Sequence, residues 1–269
     1  MQLRESQPAP EQHLFIFGPP RSGTTALARV INSHERIGIG MERFKLIMNN
    51  KCIEQFTPDL FEEHKLFDFS DGHTNMSPAA SAAMKQYYDD MQAKYDNLSY
   101  IGHKVPSAFR VAKEIHERFP NTKCVFIIRD IFETACSWQA RAERKSDSWP
   151  ATRTATHAVK PWNVCLKIFL DLQQKYPDDF YMVDYGSFFS GDPQDLTELQ
   201  NLCRFLDLPA DGSMRMAFTG SRNKYQELVK NKERGLDKET LQYIEEHADR
   251  EAYENAIGSN GKKGLKKAA

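Results

Sequence analysis

The stretch "LFIFGPPRSGTTALARVIN", residues 14–32, constrains this chain more than any other. Four apolar residues, Leu14 to Phe17, run straight into Gly18, and apolar side chains recur later at Leu27, Val30 and Ile31. A short continuous apolar run that ends at glycine reads as a strand buried on both faces, and the later spacing reads as a helix. Between them, residues 18–25 hold two glycines, two prolines, an arginine and three hydroxyls. Gly18 and Gly23 let the backbone bend tightly, and the amides of residues 22–25 then point inward at a helix N-terminus, where the dipole favours negative charge. Ser22, Thr24 and Thr25 add hydroxyl donors, and Arg21 adds a permanent charge with a planar fork suited to an oxyanion.

Other apolar runs extend the pattern: "IGIG" (37–40), "YIGHKV" (100–105), "CVFIIR" (124–129) and "FYMVDY" (180–185). Helical periods separate them near 24–33, 78–95, 107–118, 131–145, 161–176 and 193–206. Strand alternating with helix predicts an α/β fold, a P-loop-like parallel sheet with helices on both faces, in a single domain. Ligands of such sheets bind at the carboxyl ends of the strands. The domain is expected over 13–257, after a flexible N-terminus (1–12) and before a disordered, lysine-rich tail (258–269). Residues 51–76 are irregular and rich in aromatics, and read as an insertion or lid, with its aromatics suggesting an apolar pocket.

A net charge of -1 gives no global reason to bind nucleic acid or membrane, so any anion site is local. No run approaches the ~20 apolar residues of a membrane span, and the N-terminus lacks the apolar core of a signal peptide. The five cysteines are scattered without a C-x-x-C pair, which fits reduced, mostly buried thiols and a cytoplasmic location. The histidines show no metal spacing. The basic stretch 141–160 could attract an anionic small molecule or glycan, though such a run is more often a solvated helix face.

The glycine spacing is that of the nucleoside-triphosphatase loop G-x-x-x-x-G-K-[ST], but Thr24 stands where the lysine belongs. "GPPRSGTTAL" instead resembles the loop P-[KR]-S-G-T-T of the sulfotransferase family. The resemblance implies that the co-substrate is 3′-phosphoadenosine 5′-phosphosulfate (PAPS), with Arg21, Ser22, Gly23, Thr24 and Thr25 at its 5′-phosphate and sulfonate end. The family's 3′-phosphate pair is a strand-ending arginine and a serine eight residues on, and "VFIIRDIFETACSW" supplies Arg129 and Ser137. The proline usually found two residues after that arginine is here Ile131. "YMVDYGSFFSGDPQDLTELQNLCRFLDLP" resembles a later family strand and helix. "SRNK" (221–224) lies where some members add a loop over the adenosine, which makes Arg222 a further candidate.

Sulfuryl transfer resembles phosphoryl transfer in being in-line and governed by positioning and charge. It needs a base for the acceptor hydroxyl and a cation for the leaving oxygen. "HERIGIGME" resembles the run that carries a glutamate base in several family branches, which nominates Glu42. Lys104 in "GHKVP" resembles the lysine placed near the sulfonate, with Arg21 assisting it. His103 is the rival base, but adjacent strand residues face opposite sides, so only one of the two points into the site, and Lys104 is preferred. A sulfonate carries less charge than a β,γ-phosphate group, so no metal is expected. The resemblance implies a small-molecule or carbohydrate hydroxyl as acceptor. Two other readings stay open: a P-loop kinase, with Asp184 ending a Walker-B-like strand, and an inactive nucleotide-binding relative.

Overall fold

The structure is a computed structural model that describes residues 10, 12–49, 53–74, 76–145, 149–230 and 235–260. Most of the N-terminal and C-terminal segments, the start of the 51–76 segment and Cys52 therefore lie outside the described residues.

Five parallel strands form one sheet in the order β2-β3-β1-β4-β5: β1 (Gln12–Phe17), β2 (Ile37–Met41), β3 (Tyr100–Lys104), β4 (Thr122–Ile128) and β5 (Phe180–Asp184). The helices are α1 (Thr24–Asn32), the short α2 (Lys45–Asn49) and α3 (Glu63–Leu66), α4 (Ala82–Ala93), α5 (Ala112–Arg118), α6 (Ile131–Ala142), α7 (Val159–Lys175), α8 (Tyr185–Ser190), α9 (Thr197–Phe205), α10 (Gly212–Lys230), α11 (Lys238–His247) and α12 (Arg250–Gly258). The chain leaves β1 toward β2 and β3 on one side and later builds β4 and β5 on the other. That reversal opens a crevice at the carboxyl end of β1.

Leu14 to Phe17 are buried to 1% exposure or less, as a central strand covered on both faces requires. The strands stop where local chemistry dictates. Val105 falls outside β3 because Pro106 follows and opens a 3₁₀ turn. Asp184 caps α8, accepting from the Ser187 N–H, so Tyr185 is helical rather than the last residue of a strand.

Both edges of the sheet are closed by side chains. On β2, the Ile39 N–H donates to Asn32 Oδ1, the Tyr87 hydroxyl donates to the Ile39 carbonyl, and Tyr88 Oη bonds both the N–H and the carbonyl of Met41. On β5, the Asn260 amide bonds the N–H and carbonyl of Met182. These contacts satisfy backbone groups that an open edge would leave unpaired. They also fix Met41, the residue before Glu42.

Two expectations from sequence change here. In the 51–76 segment, Phe56, Phe61 and Leu66 are fully buried. Phe56 and Phe61 pack against Phe15 and Phe119, so these rings build core on one sheet face instead of lining an acceptor pocket. "SRNK" is not a loop but the interior of α10, because Met214, Phe218 and Arg222 recur at helical spacing and all three are buried.

Candidate active site

The loop between β1 and α1 folds on itself first. The Ser22 N–H and hydroxyl both donate to the Pro19 carbonyl, at 3.1 and 2.7 Å. Ser22 is fully buried, and its hydroxyl shapes the loop from within. Gly23 sits at φ 96° before α1, and a Cβ there would fall 2.4 Å from the Tyr185 ring. The residue must therefore be glycine on two counts, backbone angle and space. Trp138 Nε1 donates to the Pro20 carbonyl at 2.9 Å and pins the loop to α6.

Arg21 joins the two candidate donor elements. Its Nε donates to Ser137 Oγ at 3.1 Å, across 116 residues of sequence. Arg129 follows β4 and is 7% exposed. Its Nε donates to Glu133 Oε2 at 2.8 Å, and its guanidinium lies 4.4 Å over the Tyr185 ring. The salt bridge to Glu133 is thus real, yet it engages only Nε; Nη1 and Nη2 have no hydrogen-bond partner among the described residues. Tyr185 touches both halves of the cradle, Gly23 below and Arg129 above. Burial raises its hydroxyl pKa, while Arg129 pulls the other way.

Lys104 and Glu42 meet on the other side of the loop. Lys104 ends β3, is fully buried, and donates to Thr25 Oγ1 at 3.1 Å and Glu42 Oε1 at 2.8 Å. The Glu42 N–H extends the ladder by bonding the Lys104 carbonyl at 2.9 Å. Glu42 itself takes the left-handed φ of 52°, and Arg21 takes 75°. The other described non-glycine residues with positive φ are Asn121 and Asp207, types that tolerate the region. Arg and Glu do not, and such strain collects at functional sites.

Lys45 occupies the second carboxylate oxygen, at 2.7 Å. Burial pushes the Glu42 pKa up, but Lys104 and then Lys45 outweigh it, and the net shift is down. Burial pushes the Lys104 pKa down, partly offset by Glu42. His103 faces the opposite side. Its Nε2 accepts the Phe44 N–H at 3.0 Å, and its ring lies among Phe44, Phe56 and Phe61 at centroid distances of 5.8, 5.6 and 6.5 Å. Burial, with Lys104 next, drives its pKa down to about 3. It is enclosed away from the Lys104–Glu42 pair.

Arg222 has another task. It is 1% exposed, and its guanidinium donates to the carbonyls of Ser187, Phe188, Asp192 and Asp195. All three nitrogens are engaged by α8 and the loop after it, so Arg222 braces that segment. Asp184 is similarly committed: Oδ2 caps α8 and Oδ1 accepts the Tyr253 hydroxyl at 2.7 Å.

Sequence reasoning missed Lys45, Tyr185, Trp138 and Arg43. Arg43 is fully buried between the Phe44 and Phe69 rings, 4.5 and 4.7 Å from their centroids. It donates to the carbonyls of Lys65, Leu66 and Asp68 and to the Asp71 carboxylate. The only available signal was adjacency to Glu42 or to a matched motif. No group of three or more His, Cys, Asp or Glu placed to hold a metal ion occurs among the described residues, and none of their helices is long and apolar enough to cross a membrane.

No curated protein matches the sequence. Among solved structures, the sulfotransferase domain from the curacin biosynthetic pathway is similar at TM-score 0.48 and 14% identity, covering 90% of this chain and 98% of that one. Sulfotransferase STF1 from Mycobacterium tuberculosis gives TM-score 0.48 and 18% identity, covering 82% and 76%. Mouse sulfotransferase SULT7A1, complexed with PAP, gives TM-score 0.45 and 14% identity, covering 97% and 91%. The sequence model of the sulfotransferase family matches residues 13–212, and with that match over most of its 269 residues the chain belongs to the sulfotransferase family.

Proposed function

We propose that this protein transfers a sulfuryl group from PAPS to a hydroxyl acceptor with Glu42 as general base. The observation that carries the proposal is the convergence of Lys104, Thr25 and Glu42 within hydrogen-bonding distance at the mouth of the anion loop. The residues present suit the donor's chemistry. The α1 N-terminus with Gly23, Thr24 and Thr25 suits the 5′-phosphosulfate, and the unengaged Nη1 and Nη2 of Arg129 suit the 3′-phosphate. Ser137 accepts from Arg21 and keeps its own O–H to donate.

In the reaction, the acceptor oxygen bonds to sulfur as the bond from sulfur to the bridging phosphate oxygen breaks. The acceptor proton passes to Glu42, and adenosine 3′,5′-bisphosphate departs. Lys104 lies between Thr25 and Glu42, so its ammonium reaches the loop, where negative charge grows on the leaving phosphate, as well as the base. Moving that ammonium toward the loop relieves Glu42 of its strongest cation and makes it a better proton acceptor. Arg21, at the lip of the same loop, adds a second charge.

The test is Glu42→Gln. The expected result is a fall in kcat/KM of about 10²–10⁴-fold, the usual range for losing a positioned base, with adenosine 3′,5′-bisphosphate binding kept. Near-normal turnover in this variant would remove the base assignment. The kinase reading finds less support, because Asp184 is engaged by α8 and Tyr253 and the loop lysine is absent.

A further inference from the structure

Two ammonium groups hold Glu42, and the proposed chemistry uses one. Lys104, fully buried, turns to the loop and the donor. Lys45 grips the other oxygen, with its side chain 31% exposed. It opens α2, and the next residue, Leu46, is 41% exposed, so this turn looks outward. The remaining cation of the turn, Arg43, is fully buried and paired with Asp71. Lys45 is thus the cation beside the base that an incoming molecule can reach.

A neutral alcohol gives Lys45 no reason to leave Glu42. The ammonium then stabilises the carboxylate and weakens it as a base. An anionic group next to the acceptor hydroxyl changes this, because it competes for the same ammonium and releases Oε2 to take the proton. Lys45 Nζ starts 2.7 Å from Oε2, so an anion that takes over this ammonium sits close to the hydroxyl whose proton that oxygen accepts, a separation of a few bonds. We infer that the acceptor is an anionic hydroxyl compound, such as a hydroxy acid or acidic sugar, and that Lys45 recognises its anionic group in exchange for Glu42. This inference rests on the sulfuryl-transfer reading with Glu42 as base.

The experiment compares kcat/KM, with PAPS as donor, for acceptors matched except for the anionic group: 3-hydroxybenzoate against 3-hydroxybenzamide, 3-hydroxybutyrate against its amide, and methyl glucuronoside against its amide. Wild type, Lys45→Met and Lys45→Arg are assayed in parallel. The expected result is a preference for the anion of about tenfold or more in at least one pair, falling to about one in Lys45→Met and recovering in part in Lys45→Arg. A panel in which no anionic member is favoured, including one in which none is turned over, overturns the inference, and so does a preference that survives in Lys45→Met. Calorimetry of wild type with adenosine 3′,5′-bisphosphate separates the two claims. Binding without an anion preference sinks only this inference, whereas absence of binding sinks the sulfuryl-transfer reading beneath it as well.

Discussion

Lys104 Nζ lies 2.8 Å from Glu42 Oε1 and 3.1 Å from Thr25 Oγ1, so one buried ammonium links the end of β2, the end of β3 and the first turn of α1. Its position follows from register: Lys104 is paired with Met41 on one side and Ile16 on the other, and Glu42 is the next residue after Met41.

Replacing Lys104 by Met tests both of its roles. Turnover should fall by about 10²–10³-fold, the loss typical of removing one charge-stabilising donor. The acid limb of the pH–rate profile should also move upward. Burial raises the Glu42 pKa and Lys104 is the largest opposing influence, so its removal lets burial prevail. The same shift has a stability consequence. A depressed carboxylate pKa adds stability above the ordinary glutamate value, and that stability is lost as pH falls through the folded value. In Lys104→Met the acid-side loss should be smaller. Thermal melts of both proteins between pH 3 and 7 read the difference.

Gly23→Ala should disable the cradle. The new methyl meets the Tyr185 ring at 2.4 Å and the backbone sits at φ 96°, so either the loop or Tyr185 has to move, and Tyr185 supports Arg129. We expect a lower melting temperature and weakened bisphosphate binding together. Unchanged binding would show that the Tyr185 contact does not shape the donor site.

Arg222→Met separates scaffold from site. Four carbonyls lose their donor, and the expected cost is about 3 kcal/mol or more, from several buried hydrogen bonds to a charged group. Urea unfolding measures it. Any protein that remains folded should bind bisphosphate nearly as well as wild type. A selective loss of binding with unchanged stability would return Arg222 to the donor site.

Lys94 offers a second pH effect, in the alkaline range. Its ammonium donates to the carbonyls of Asn32 and His34 at the end of α1, and burial brings its pKa down to about 8. Between about 8 and its ordinary value of 10.5 the unfolded chain holds a proton that the folded one has released, so stability rises with pH in that window. The melting-temperature difference between wild type and Lys94→Met should therefore shift in favour of wild type from pH 8 to 10. A difference that stays flat would contradict the buried placement of this amine.

The sheet was legible because β1, β4 and β5 carry continuous apolar runs and short β-prone stretches mark β2 and β3, and the positions of Lys104, Glu42 and Arg129 at the carboxyl ends followed from those runs. The side-chain economy of the site was less so. Ser22 and Arg222 carry the right chemical groups, but the polypeptide's own carbonyls claim them, and nothing in a linear sequence says which acceptor lies nearest. The aromatics of 51–76 looked like a pocket because apolar residues in an irregular stretch have no period to reveal which way they face. Phe56 and Phe61 turned out to cover the sheet. Lys45 and Tyr185 belong to the site only through contacts made in three dimensions, at Glu42 and at Gly23, and no motif spacing announces either.

The most direct test of the account is calorimetric titration with adenosine 3′,5′-bisphosphate in the absence of metal, on wild type and Arg129→Ala, with ATP–magnesium as comparison. The account predicts binding of the bisphosphate by wild type, weakened about 10–150-fold in Arg129→Ala, as expected for one or two charge-assisted hydrogen bonds to phosphate. Binding of ATP–magnesium in its place, or bisphosphate binding indifferent to Arg129, would contradict it.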